Sequence, residues 1–280
     1  MRHGHGFDLG GSRCREPVTR DVDSGLFLAR LPRMTPLTPT PTTPRISCII
    51  CALNEGPRIG AVLDVATAHP LIAEVIVVDD GSTDDTAAVV ARHANVRLIT
   101  HASNQGKSKA VATGVAAARH ELLMLLDADL KGLHVDDLTA LAAPVLAGHA
   151  AVTLSLRRNS LALFRWVGID FVSGERVVEK RLLADVLQDL HALPRFGIEV
   201  FMNKRIIAAR LPIAIAHWRT VTQSRKTEKL GWRRGVLAEW RMVFDLMDAV
   251  YPLELLTQTL HLALLRAPAA ARPALQGPEL

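Results

Sequence analysis

The chain has 280 residues, 49% of them apolar and 22% charged, and a formal net charge of +5. That is enough apolar side chain for one large domain with appendages, and no apolar run approaches the ~20 residues of a membrane span. The charge suits anionic partners such as nucleotides, phosphates or an acidic membrane face, with no nucleic-acid partner expected.

Residues 1–44 differ from the rest. Gly, Arg and His are scattered early, a short helix is expected over Asp21 to Leu31, and Met34 to Pro44 reads MTPLTPTPTTP. Repeated proline forces extended backbone, so this arm reads as disordered or a linker. It carries no signal-peptide pattern, and Cys14, Cys48 and Cys51 are too few for a disulfide or metal framework, so a reducing cytoplasm is expected.

The globular part opens at Arg45. Ile46 to Ala52 is an apolar, β-branched-rich run that predicts a strand, with Cys48 and Cys51 as buried strand thiols. Pro57 then opens a helix where a missing N–H costs nothing. Further strands are expected at Glu74 to Val78, Val96 to Thr100, Leu122 to Leu126 and Ala151 to Leu156. Helices fall between them, among them Gly106 to Ala118 and Val135 to Ala147, with Ser82 and Asp85 expected to cap the one after the second strand. This alternation predicts an α/β fold with a parallel sheet flanked by helices. Beyond Arg157 the chain is expected to become mainly helical. Amphipathic helices broken at Pro252 are expected over 226–266, where a basic, Trp-bearing face either packs on the domain or meets a membrane, and a frayed tail over 267–280.

In a parallel sheet the C-terminal strand ends gather on one edge, where ligands bind. Asn54-Glu55, Asp79-Asp80-Gly81-Ser82 and Asp127-Ala128-Asp129 all follow apolar runs. Two carboxylates one residue apart repel unless a cation sits between them, and Mg2+ or Mn2+ against a pyrophosphate would serve. The residues alone equally allow a helix start with two solvated acids. Asn104-Gln105-Gly106-Lys107 adds an amide, a flexible turn and a cation, without the glycine pattern of a P-loop. Asp84 and Asp85 read as helix-dipole carboxylates.

In this order, IICALNEGPRIGAVL, VIVVDDGSTDDT, NQGKSKAVATG and LLMLLDADL resemble the nucleotide-sugar-binding half of family 2 glycosyltransferases with the GT-A fold, over roughly Ile46 to Leu156. The resemblance implies a Rossmann-like, mostly parallel sheet and metal-dependent hexosyl transfer from a UDP- or GDP-sugar, with Mg2+ or Mn2+ as cofactor. It implies that Ala52, Leu53, Asn54, Glu55, Asp80, Gly81, Ser82, Gly106 and Lys107 line the nucleotide. Asp127-Ala128-Asp129 matches the family's D-x-D motif, with Asp127 on the ribose of the nucleotide sugar or on a metal-bound water, Ala128 on the nucleotide sugar and Asp129 on the metal.

The second half, through LRRN, SGER, FGIE and HW, is similar to glucosyl-3-phosphoglycerate synthases. That implies Gly174 beside the acceptor, Glu199 as the catalytic residue and His217 on the metal. Ser173 stands where a second glycine is typical, and the segment between Arg158 and Gly174 is shorter. By residue type, Arg157 and Arg158 either grip an acceptor phosphate or sit in a solvated loop. Glu199 can also serve a helix dipole, His217 can be a surface histidine, and Trp218 reads as packing. The expected domain is 45–225. The expected acceptor is a small phosphorylated molecule or a lipid-linked one, with a homodimer and a peripheral contact on the inner membrane face left open. The alternatives are a catalytically silent nucleotide-sugar binder or membrane-associated scaffold, and a sugar-phosphate nucleotidyltransferase.

Overall fold

The computed structural model describes residues 45–190, 197–223 and 252–267. Its strands are β1 (Ile46–Ala52), β2 (Ile72–Asp79), β3 (Val96–Thr100), β4 (Leu122–Asp127), β5 (Leu130–Lys131), β6 (Val152–Arg157), β7 (Arg176–Glu179), β8 (Ile213–Trp218) and β9 (Thr222–Gln223). Its helices are α1 (Gly56–Ala68), α2 (Thr86–Val90), α3 (Lys107–Ala117), α4 (Val135–Leu146), α5 (Ala162–Val167), α6 (Arg181–Ala184), α7 (Leu187–Leu190), α8 (Gly197–Ala208) and α9 (Pro252–Leu264).

Seven strands form one sheet in the order β3-β2-β1-β4-β7-β6-β8. β1 to β4 pair in parallel, β6 pairs in parallel with β8, and β7 is antiparallel to both its neighbours. Apolar cores cover both faces. On β1, Ile46, Cys48 and Ile50 pack with α1 and α4, while Ile49 packs with α3 and α8. A sheet buried on both faces has no polar side, so its strands read as unbroken apolar runs. Each fully buried isoleucine contributes about 1.5–3 kcal/mol.

Two expectations need correction. The sheet does not end at Arg157: β7, and β8 at the strand-like run of Ile213 to Ala216, extend it. β7 escapes notice because it has only four residues, RVVE, with a charge at each end, and its Arg176 is wholly buried. Ser82 does not cap the helix after β2. Its hydroxyl accepts from Asn54 N, and α2 starts four residues later at Thr86, where Asp84 holds both Thr86 N and Gly56 N. The loop therefore locks onto the N-terminus of α1. Of the two readings of the apolar helix after Pro252, the described residues show packing on the domain. Leu262 of α9 is fully buried in the core on the α3 and α8 face, and Ile213 bonds Leu265 O and Ala267 N. The expected helix at Asp21 to Leu31, the amphipathic stretch over 226–251 and the tail over 268–280 lie outside the described residues.

Candidate active site

The register brings the strand ends to one edge. Cys51 pairs with Asp127 and Ala52 with Asp79, while Leu125 aligns through Arg176 with Leu154. Leu156 pairs with His217, so Asp127, Leu156 and His217 lie at one level of the sheet. The thiols at 48 and 51 point to opposite faces. Burial pushes both up, Cys51 to about 12, which leaves them inert.

Around β1 to β3 the loops are tied to each other. Asn54, with φ of 55°, accepts from Thr83 N and Thr83 Oγ1 on its side-chain oxygen. Gly81 has φ of 77°, and a Cβ there would fall 2.6 Å from the Ser103 carbonyl carbon. Asp80 is buried and holds the next loop. Its Oδ1 accepts from His101 Nδ1 at 2.7 Å and from Gln105 N at 2.9 Å, and its Oδ2 from Gly106 N at 2.7 Å. His101 in turn meets Thr113 Oγ1 of α3 at 3.0 Å. This chain of bonds delivers Lys107, the first residue of α3, to the end of β4.

There the Lys107 ammonium sits 2.7 Å from Asp127 Oδ1 and 2.9 Å from Glu199 Oε1. About 40% of the lysine side chain is open to solvent. Burial alone would lower its pKa; the Asp127 and Glu199 charges outweigh that and hold it well above the ordinary value. Gly174 lies directly on this pair. A Cβ at 174 would stand 2.6 Å from Asp127 Oδ1 and 2.7 Å from Lys107 Nζ, so any side chain there has to displace one of the pair. Asp127 Oδ2 accepts from Gln223 Nε2 at 3.0 Å. Gln223 is fixed by two backbone bonds to Asn159, and its strand β9 pairs with β5 just past the D-x-D motif.

Beside this centre lies a buried charged network. Arg157 is at the end of β6, 8% exposed, and not in a solvated loop. Its Nη1 is 2.6 Å from Glu175 Oε1 and 3.8 Å from Asp127 Oδ2, and its Nη2 is 3.6 Å from Asp170 Oδ2. Burial raises the pKa of Asp170, which Arg157 only partly offsets. Ser173, where a second glycine was expected, donates to Glu175 Oε2 at 2.7 Å, as does Ser155. Arg176, wholly buried, donates to Ser173 O and reaches Asn203 Oδ1 at 3.2 Å, while Asn203 Nδ2 donates to Phe171 O at 2.8 Å. Together they hold the turn that presents Gly174. Glu199 is 2% exposed, in the first turn of α8, and its Oε2 has no hydrogen-bond partner among the described residues.

The structure thus gathers Lys107, Asp127, Gly174 and Glu199, with Arg157 adjoining. Ala52 to Glu55, Asp80, Gly81, Ser82 and Gly106 line the neighbouring loops, and Ala128 and Asp129 follow β4. Sequence reasoning missed His101, Arg176, Asn203 and Gln223. Asn159 and Arg176 stood inside quoted motifs, but nothing in the spacing marked His101 or Gln223.

A divalent ion in phosphate chemistry is commonly held by one or two protein groups plus phosphate oxygens. Among the described residues no group of three or more His, Cys, Asp or Glu side chains is gathered for a metal. Asp127 already has the Lys107 ammonium, Gln223 Nε2 and, at 3.8 Å, the Arg157 guanidinium beside it. Asp129, 6% exposed, fits as the hard oxygen donor. His217 is exposed, yet the surrounding protein, with Arg266 and Arg219, holds its imidazole below the ordinary range and so neutral, the form that can ligate. Its strand lies three steps from β4, about 14 Å across the sheet.

The mostly parallel seven-stranded sheet flanked by helices, with Asp127-Ala128-Asp129 at the end of β4, is a GT-A-like α/β fold. Residues 47–203, more than half of the chain, match the family model of Glycosyl transferase family 2, and the protein belongs to that family. Dolichyl-phosphate beta-glucosyltransferase of Homo sapiens is 32% identical over 102 residues, 31% of this chain and 32% of that one. Glucosyl-3-phosphoglycerate synthase of Mycolicibacterium paratuberculosis is 33% identical over 112 residues, 37% of this chain and 34% of that one. The chain thus spans about a third of the length of these curated relatives. Among solved structures, glucosyl-3-phosphoglycerate synthase from Mycobacterium tuberculosis, in complex with Mn2+, UDP and glucosyl-3-phosphoglycerate, superposes with a TM-score of 0.55. That superposition covers 74% of this chain and 80% of that one at 24% identity, a likeness of fold.

Proposed function

We propose that the protein transfers a hexose from a UDP- or GDP-sugar to the hydroxyl of a phosphorylated acceptor, small or lipid-linked, in the cytoplasm, with residues 45–225 as the catalytic domain. The observation that carries this reading is the Lys107 ammonium held between Asp127 and Glu199 beneath Gly174 at the C-terminal sheet edge. The loops of Ala52 to Glu55 and Asp80 to Ser82 wall the base and ribose, and Gly106 and Lys107 face the diphosphate. Asp129, with His217 as a second donor, would hold Mg2+ or Mn2+, which supplies positive charge for the leaving diphosphate. The acceptor hydroxyl oxygen bonds to the anomeric carbon. The bond from that carbon to the diphosphate oxygen breaks with its electron pair, and the hydroxyl proton passes to a carboxylate or to the departing phosphate. On this reading Glu199 would meet the reacting hydroxyl; its unpartnered second oxygen, with the first on Lys107, supports that role. Arg157 and Gly174 shape the acceptor side.

The test is a thermal-shift and calorimetric screen of nucleotide sugars with and without Mn2+. A donor should bind only with metal, and Asp129→Asn should weaken that binding about a hundredfold while leaving the melting temperature of the free protein near wild type. Unchanged Mn2+-dependent affinity in that variant overturns the metal assignment. Donor binding with no turnover on phosphorylated or lipid acceptors favours the silent binder.

A further inference from the structure

The most exposed large apolar side chains are not scattered over the described surface. Trp166 is 85% exposed, Leu264 75%, Leu161 60% and Leu260 59%; the next, Val135 and Leu53, are below 40%. The four leading positions fall in two segments, α5 with its preceding turn and the second half of α9. These segments meet: a Cβ on Gly168, just after α5, would stand 3.1 Å from the Arg266 guanidinium, just after α9. α9 is anchored by buried Leu262, so its outward Leu260 and Leu264 are held in place rather than tucked under. Arg158, Arg165 and Arg266 are exposed on the same segments, and neither 157–169 nor 257–267 contains an Asp or Glu.

We infer that α5 and the C-terminal half of α9 form one docking face for an anionic lipid surface. Exposed tryptophan and leucine beside arginine, with no acid, is the chemistry of an interfacial contact: the apolar side chains enter the acyl boundary while the guanidinium groups meet lipid phosphates. A second copy of this chain is a poorer occupant. A two-fold interface would set each patch against itself, arginine facing arginine. The face also adjoins the acceptor side. Arg165 Nη1 donates to Arg158 O, Arg158 N donates to Val221 O beside β9, and Arg157 precedes them in the buried network. The face stands independently of the proposed transfer reaction; only its consequence, a lipid-linked acceptor, rests on that reading.

The full chain is co-sedimented with phosphatidylcholine vesicles with and without phosphatidylglycerol, across a salt series, alongside Mn2+-dependent binding of UDP and of GDP without vesicles. The wild type should bind the anionic vesicles and release them as salt rises. Trp166→Ser with Leu264→Ser, and separately Arg165→Glu, should each weaken vesicle binding about tenfold with melting temperature and UDP affinity unchanged. The inference is overturned by absence of vesicle binding at low salt. It is also overturned if the serine variant melts several degrees lower, which marks the patch as covered by residues 224–251, or if it turns a dimer into a monomer, which marks a second copy. Vesicle binding without Mn2+-dependent binding of either UDP or GDP leaves the docking face standing and fails the transfer reaction instead.

Discussion

The two sides of the sheet edge are built differently. On the side of β1 to β3, polar side chains bond backbone: Asp80 takes Gln105 N and Gly106 N, Asn54 takes Thr83 N, and Asp84 takes Gly56 N. On the side of β6 and β7, charged side chains face one another below the surface. Among the described residues, the buried side-chain polar atoms without a hydrogen-bond partner all lie beyond residue 150, and three of them, Arg157 Nε, Asp170 Oδ1 and Glu199 Oε2, belong to this side. A buried polar atom left unpaired costs about 1–3 kcal/mol. The loops after β1 to β3 are therefore satisfied as they stand, while the side of β6 and β7 carries unmet bonding capacity. On the proposed reading the first is the donor side and the second the acceptor side.

The largest effect that would test this contrast is at Glu199. Glu199→Gln keeps the shape and removes the charge that faces Lys107. Turnover should fall roughly 100- to 1,000-fold while donor affinity stays within a few-fold of wild type. Donor affinity that collapses with turnover intact would place Glu199 on the donor side and break the contrast. Next is Gly174→Ala. The added methyl has to displace Asp127 or Lys107, so both donor affinity and turnover should suffer, together about 10- to 100-fold. A variant of wild-type activity would show that the pair is not held by this contact.

A smaller effect is expected at His101, which reaches the site only through Asp80. His101→Ala removes one bond from Asp80 Oδ1 and the link to Thr113. The donor dissociation constant should rise about fivefold, the worth of one hydrogen bond, with turnover at saturating donor unchanged. Equal loss in turnover would mean that the loop carries Lys107 out of register.

The same contrast explains what was legible in the sequence. Donor-side function sits in short contiguous runs, each an apolar strand followed by its polar turn, so VIVVDDGS and LLMLLDAD disclose both the element and its edge. Where the two sides meet, the partners are far apart in the chain. Lys107 and Glu199 are 92 positions apart, and Asp127 and Gln223 are 96 apart. No periodicity reports such pairings. Arg157 was read as either a phosphate grip or a solvated loop because a strand-ending arginine gives no sign of the Glu175 and Asp170 that bury it. β7 hid for a related reason: Arg176 is wholly inside, and a buried charge contradicts the pattern by which strands are found. Trp218 was read correctly as packing; it is 1% exposed and donates to Asp137 O.

The smallest effect is a control on the contrast, at the opposite end of the sheet. Glu74 of β2 accepts from Ser47 Oγ at 2.6 Å, Arg119 N at 2.6 Å and Arg119 Nε at 2.9 Å. Burial pushes its carboxyl up, but the bonds from Ser47 and Arg119 outweigh that and leave it below the ordinary glutamate value. The Arg119 side chain is 72% exposed, so its ion pair adds little and the weight falls on Ser47 and the Arg119 N–H. A carboxyl depressed in the folded state stabilises fully above the unfolded value of about 4.3, and that contribution is lost as pH falls through the folded value. Glu74→Gln should therefore lower the melting temperature by about 2–6 °C at neutral pH, from roughly 1–1.5 kcal/mol. The gap to wild type should close as pH drops below about 4, and activity at a temperature where both are folded should not change. A gap that is constant with pH would mean that Glu74 acts through shape rather than charge. A loss of activity would show that the two ends of the sheet are coupled, and that the donor side is less independent than its bonding suggests.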